Sequence, residues 1–156
     1  MTAATLTAVK RSVTVRASPE RAFEVFTAGF SSWWPIESHH IGEEMAVEVV
    51  IEPRVGGRWF ERDAQGRECV WGFVTEWDPP HRLQLAWHLT HEYEFDADPD
   101  HASEIEVTFT PQVGGTLVEL EHGGFEKYAE RGARVRENVS REGGWTELIE
   151  MYAKAF

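Results

Sequence analysis

Residues 68–90 read ECVWGFVTEWDPPHRLQLAWHLT. Glu68 to Trp77 is rich in aromatic and β-branched residues and predicts a long strand, with Gly72 marking a bulge or bend. Asp78-Pro79-Pro80 is a hard turn. Arg82 to Thr90 then alternates: Leu83, Leu85, Trp87 and Leu89 on one face, Gln84, Ala86, His88 and Thr90 on the other. Two such strands joined by a tight turn form an antiparallel hairpin. One face of that hairpin is apolar, so another element must cover it.

The same pattern extends in both directions. Upstream, AVEVVIE at 46–52 and RWFER at 58–62 are strands, separated by the turn PRVGG at 53–57 and followed by the connection DAQG at 63–66. Trp59 and Phe60 are both large and apolar, so alternation leaves open which side of 58–62 faces inward. Downstream, the acidic segment 91–102 is a loop. Ser103 to Pro111 and Thr116 to His122 are two further strands, with Val113-Gly114-Gly115 turning between them. At the start, LTAVKRSVTVR (6–16) is a first strand in which Arg11 interrupts the alternation.

Ser18-Pro19-Glu20 opens a helix over 19–28, with serine as cap, proline at the first helical position and glutamate complementing the dipole. Residues 29–36 form a short helical turn stopped by Pro35, and 37–45 a polar loop. Near the C-terminus, Asn138 or Ser140 caps a final helix whose apolar face is Trp145, Leu148, Ile149, Tyr152 and Phe156. The charged stretch 123–137 connects to it. The expectation is an α+β architecture: about seven antiparallel strands curved round a long C-terminal helix, with two short helices after the first strand.

The chain has 156 residues, which is one domain's worth. Its net charge of −12 disfavours nucleic acid and anionic membrane as partners. Cys69 is the single cysteine, no apolar run is long enough to span a bilayer, and the N-terminus lacks the pattern of a signal peptide. These features predict a cytoplasmic protein. Seven tryptophans, at 33, 34, 59, 71, 77, 87 and 145, are the compositional anomaly. Spread along a chain, they build either an aromatic core or the walls of an apolar pocket.

SPERAFEVFT at 18–27, WWP at 33–35, IEPRVGGRWFER at 51–62, WGFVTEWDPPHRLQLAW at 71–87 and GW-x-x-L-x-x-x-Y at 144–152 together resemble the START-like, or SRPBCC, superfamily. The closest pattern is that of its group named for the activator of heat-shock protein 90 ATPase. The resemblance runs from about residue 8 to about residue 155. It implies the helix-grip fold, found among lipid-transfer proteins, polyketide cyclases and hormone receptors.

A sheet gripping a helix leaves space between them unless large side chains fill it. The expected lining is Trp59, Trp71, Phe73, Leu85, Trp87, Val118 and Leu120 from the sheet and Trp145, Ile149 and Tyr152 from the helix, with Phe26, Phe30 and Trp34 near the mouth. His122, on the face of Val118 and Leu120, and Tyr152 are the candidate polar groups. The first functional reading is therefore a pocket for a small, mostly apolar molecule, without a cofactor.

An enzyme of the cyclase, hydrolase or isomerase kind is the second reading. It needs a titratable pair in the pocket, for which the sequence offers His122 with Glu61 or Glu119. A co-chaperone-like interaction module is the third; it needs an exposed apolar patch around Trp33 and Trp34, through which a homodimer would also form. No metal site is expected. His88 and His91 fall on opposite faces, and the adjacent pair His39-His40 seldom chelates one ion. Cys69 reads as an inert thiol, and Gly143-Gly144 as a turn or a hinge.

Overall fold

A computed structural model describes residues 6–156; the part of the leader reading that concerns residues 1–5 lies outside them. Seven strands, β1 (Val9–Val15), β2 (Ala46–Ile51), β3 (Arg58–Asp63), β4 (Glu68–Asp78), β5 (Arg82–Trp87), β6 (Ser103–Gln112) and β7 (Gly115–Gly123), form one antiparallel sheet. Its order is β1-β7-β6-β5-β4-β3-β2. The meander β2 to β7 is thus extended by the first strand, which pairs with the last through Val9↔His122 and Val13↔Val118. The sheet curls into a half-barrel with the apolar side chains on its concave side.

β1 and β2 lie at opposite edges, and the chain between them carries two short helices. α1 (Pro19–Phe26) begins as the sequence predicts: Ser18 Oγ accepts from the Arg21 N–H at 3.2 Å and Pro19 occupies the first turn. Its buried face is Ala22, Phe23, Val25 and Phe26, and Phe23 meets Phe109 of β6 at a centroid distance of 5.2 Å. α2 (Phe30–Trp33) inserts Phe30 and Trp33 into the core.

The concave face closes on a bent C-terminal helical segment, completing the helix-grip architecture. It runs through the 3-10 turns of Phe125–Arg131, α3 (Gly132–Ser140), the irregular turn Glu142–Thr146 and α4 (Glu147–Ala153). The expected single helix from 138 or 140 is therefore corrected: regular helix starts earlier and breaks in the middle. Asn138 and Ser140 do not cap; they form the last turn of α3. The break centres on Gly144, at φ −92 and ψ −133. A Cβ there would lie 2.3 Å from the Val139 carbonyl oxygen, so only glycine fits. Arg11 explains its own interruption of β1. From an inner position it spans the break, donating from Nε to Thr146 Oγ1 (2.9 Å) and from Nη2 to the Ser140 carbonyl (3.1 Å).

Strand β5 ends at Trp87, three residues earlier than the alternation predicts, and Leu89 then bridges to Phe95. The 58–62 ambiguity resolves with Trp59 and Glu61 inward. Arg58, Phe60 and Arg62 face outward, the two guanidinium carbons lying 4.3 and 5.3 Å from the Phe60 ring centroid. That cover buries Phe60 on the convex side. Among the described residues no helix is long and apolar enough to cross a membrane.

Candidate functional site

The register decides which aromatic side chains reach the interior. Trp59 pairs with Gly72 and Phe60 with Val70, so Trp71 is an extra residue bulged out of β4. The bulge turns Trp71 inward beside Gly72, with Trp59 and Trp87 flanking on the neighbouring strands. Gly72 must lack a side chain, since a Cβ would sit 1.8 Å from the Ala86 carbonyl oxygen and 2.6 Å from Trp59 Nε1. Trp59 lies across that gap and donates to the same carbonyl at 2.9 Å. The phase shift also sends Phe73 to the convex face, where it packs edge-on against His88 and near Phe95. The expectation that Phe73 lines the interior is corrected on this ground.

A large part of the expected receptacle is filled. Phe26, Phe30, Trp33 and Tyr152 interlock at centroid distances of 5.1–5.4 Å. Aromatic pairs of this kind contribute about 0.5–1.5 kcal/mol each beyond their burial. Tyr152 is fully buried and donates its hydroxyl to the Ala22 carbonyl at 2.7 Å; burial pushes its pKa up. It is an anchor for α1 rather than a group aimed at a ligand. Trp59, Leu85, Val118, Leu120 and Ile149 are likewise buried core. Trp33 and Trp34 are only 3% and 6% exposed, so the apolar surface patch that a chaperone contact or homodimer would use at these residues is absent.

What remains open is a cavity of about 360 Å³ at the end of the gap where the helical segment breaks. Trp71, Trp87 and Leu89 form its sheet wall, and Val139, Gly143, Gly144, Trp145 and Leu148 its helical wall. Trp34 and the loop residues Ser38, His39, His40 and Ile41 close one side; Glu92, Tyr93, Asn138 and Arg141 stand at the mouth. Of the fourteen residues expected from the sequence, Trp34, Trp71, Trp87 and Trp145 line this space. Phe26, Phe30, Trp59, Phe73, Leu85, Val118, Leu120, His122, Ile149 and Tyr152 do not.

His122 lies behind the cavity wall, with both ring nitrogens engaged. The Trp145 indole can only donate, so its 3.0 Å contact makes His122 Nδ1 the acceptor and leaves the proton on Nε2. Nε2 then donates to Ser103 Oγ at 2.8 Å, Ser103 to the Tyr128 oxygen at 3.0 Å, and Tyr128 to the carbonyls of Trp87 and Leu89, each at 3.0 Å. Complete burial pushes the His122 pKa down to about 3, which keeps the ring neutral. The expected role of His122 as a ligand-facing acid or base is corrected: it holds Trp145, and through Tyr128 the backbone of Trp87 and Leu89.

Glu61 is buried as well, and its carboxylate accepts from the Ile41 N–H (2.6 Å), the Gly42 N–H (3.1 Å) and the Trp71 indole (2.9 Å). It pins the 37–45 loop and one wall tryptophan together. Glu119 faces solvent on the opposite side of β7 from His122. Neither glutamate forms an acid–base pair with His122. The loop's second anchor is His39, which meets Ser38 Oγ through Nδ1 (2.7 Å) and the Gly143 carbonyl through Nε2 (2.7 Å). Sequence reasoning missed Ser38, His39, His40 and Ile41 because their partners are distant; the His39–Gly143 contact spans 104 residues. At the mouth, Arg141 donates to Asn138 Oδ1 at 2.7 Å, and Asn138 donates to the His91 carbonyl at 2.9 Å.

Comparison with known proteins places the chain in a class. Residues 16–156 match the family described as Activator of Hsp90 ATPase homolog 1-like protein, and the chain belongs to that family. Among solved structures it is similar to the anthrahydroquino-γ-pyrone synthase Txn09, with 38% identity, a TM-score of 0.66, and 96% of this chain and 97% of that one covered. It is also similar to CalC, a self-sacrificing resistance protein from Micromonospora echinospora: 29% identity, TM-score 0.68, 97% and 94% covered. Protein NE0264 from Nitrosomonas europaea shares the fold at 15% identity and a TM-score of 0.66, with 99% and 96% covered. No curated protein matches the chain.

Proposed function

We propose that this protein binds a small, flat, polycyclic aromatic molecule in the cavity between Trp71, Trp87 and Leu89 on one side and Val139, Trp145 and Leu148 on the other. The observation that carries the reading is a wall of four tryptophans, three of them held through their indole N–H groups by polar partners, facing space that no side chain fills. Such surfaces favour stacked rings, and burial of apolar area contributes about 25 cal/mol per Å². The likeness to a synthase named for an anthrahydroquinone-pyrone supports a ligand of this shape.

Titration with anthraquinone-2-carboxylate, followed by tryptophan fluorescence, tests it. Saturable quenching is expected in the wild type and its loss in Leu148→Trp, which fills the cavity, with the melting temperature of the variant recorded as a control. Absence of binding across a panel of planar aromatics, or binding that survives Leu148→Trp, contradicts the proposal.

The synthase likeness favours a second reading, catalysis on the same ligand. The groups at hand are Ser38 and His39, hydrogen-bonded at 2.7 Å at the cavity wall. Conversion of a bound polyketide-like substrate by wild type, reduced at least tenfold in His39→Gln, supports this reading; binding with no change in the ligand counts against it.

A further inference from the structure

The four wall tryptophans differ in one respect. Trp34 gives its indole N–H to the His39 carbonyl (2.9 Å), Trp71 to Glu61 (2.9 Å) and Trp145 to His122 (3.0 Å). Among the described residues the Trp87 indole has no such partner, yet its nitrogen is not among the buried orphaned atoms; His91 Nδ1 holds that position alone. The Trp87 N–H is therefore reachable from outside the protein matrix. Trp87 is 6% exposed, stands on the concave face and lines the cavity, so the cavity is the route of access.

A donor open to the cavity is served by water while the cavity is empty of ligand, and a ligand that fills the space displaces that water and must bring an acceptor of its own. The indole N–H only donates, so nothing but an acceptor serves it. The position is also well fixed. The Trp87 ring packs against Trp59 (5.6 Å between centroids) and His122 (5.2 Å), and its carbonyl is held by Tyr128.

We infer that the ligand presents a carbonyl oxygen on its ring edge to the indole N–H of Trp87, which makes the ligand class an aromatic ketone or quinone rather than a plain aromatic hydrocarbon. This rests on the proposed binding of a planar aromatic and adds the polar group that fixes its orientation. Trp34, Trp71 and Trp145 spend their N–H groups on the protein, and Trp87 keeps its own for the ligand. A pure hydrocarbon in the same place would cover the Trp87 N–H and leave it without a partner, which weakens binding. A ligand edge carrying only donors would meet it donor to donor.

The test uses two acids with the same three-ring skeleton and the same carboxylate, anthraquinone-2-carboxylate and anthracene-2-carboxylate. The wild-type protein should bind the quinone at least about fivefold more tightly, as expected for one hydrogen bond recovered at a covered donor. In Trp87→Phe the two affinities should converge to within twofold. In the wild type, the indole ¹H resonance of Trp87 should move downfield with the quinone and not with the hydrocarbon, a reading independent of whether the variant folds. Equal wild-type affinities, or a Trp87 indole resonance indifferent to the quinone oxygens, overturn the inference while leaving planar-aromatic binding standing. Failure of both acids to bind overturns the two together.

Discussion

The indole nitrogen of Trp145 lies 3.0 Å from Nδ1 of His122, so a buried, neutral histidine holds one wall of the cavity in place. The relationship has consequences for acid stability. His122 stays neutral in the fold down to about pH 3, whereas in the unfolded chain it titrates near 6.5. Between those values the unfolded state binds the extra proton. Stability therefore falls as pH drops through this window, with a slope approaching about 1.4 kcal/mol per pH unit from this group alone. Urea unfolding of wild type and His122→Gln at pH 7, 6, 5 and 4 measures it. The variant should be weaker by about 2–4 kcal/mol at pH 7, because partners at both ends lose their hydrogen bonds, and should lose less on acidification. Parallel pH profiles would disprove the assignment.

Gly72→Ala should be severely destabilising. The added methyl would press at 1.8 Å on the Ala86 carbonyl, which cannot move without disturbing the β4–β5 ladder, and at 2.6 Å on the Trp59 indole, which cannot move without losing its hydrogen bond to that carbonyl. A loss of about 3 kcal/mol or more in chemical denaturation, or failure to fold, is the expected outcome. A substitution costing less than about 1 kcal/mol would show the bulge to be placed wrongly.

Much of this was readable in advance, and the exceptions have identifiable causes. Alternation placed Leu83, Leu85 and Trp87 inward, and likewise Val118, Leu120 and His122, since β5 and β7 keep strict register up to those points. It failed for Phe73, because the extra residue at Trp71 inverts the phase of the following positions. Periodicity also described the buried face of α4 at Leu148, Ile149 and Tyr152, but not Phe156, which lies beyond the helix end and is 40% exposed, and it missed the break before the helix, which depends on a backbone approach at Gly144 that no pattern of side chains encodes. The cavity lies at that break. Its loop wall was the least legible part, because Ser38 to Ile41 are polar or isolated and take their meaning from Glu61 and Gly143, far away in sequence.

Glu61→Ala should loosen that loop wall. Three donors lose their acceptor at once, and the expected cost is about 2–4 kcal/mol. Hydrogen exchange at the Ile41 and Gly42 amides should accelerate markedly, and ligand quenching should weaken. Glu61→Gln, which keeps one acceptor oxygen, should fall between the two. Unchanged exchange at these amides would remove Glu61 as the loop anchor.

Where the ligand sits decides the function proposed for the cavity. Nuclear Overhauser contacts between a bound planar aromatic and the indole protons of isotope-labelled protein answer this directly. Contacts from the ligand rings to Trp34, Trp71, Trp87 and Trp145, with none to Tyr152, are the predicted result. Contacts confined to exposed side chains such as Val47 or Val113, with the four wall indoles silent, would contradict it.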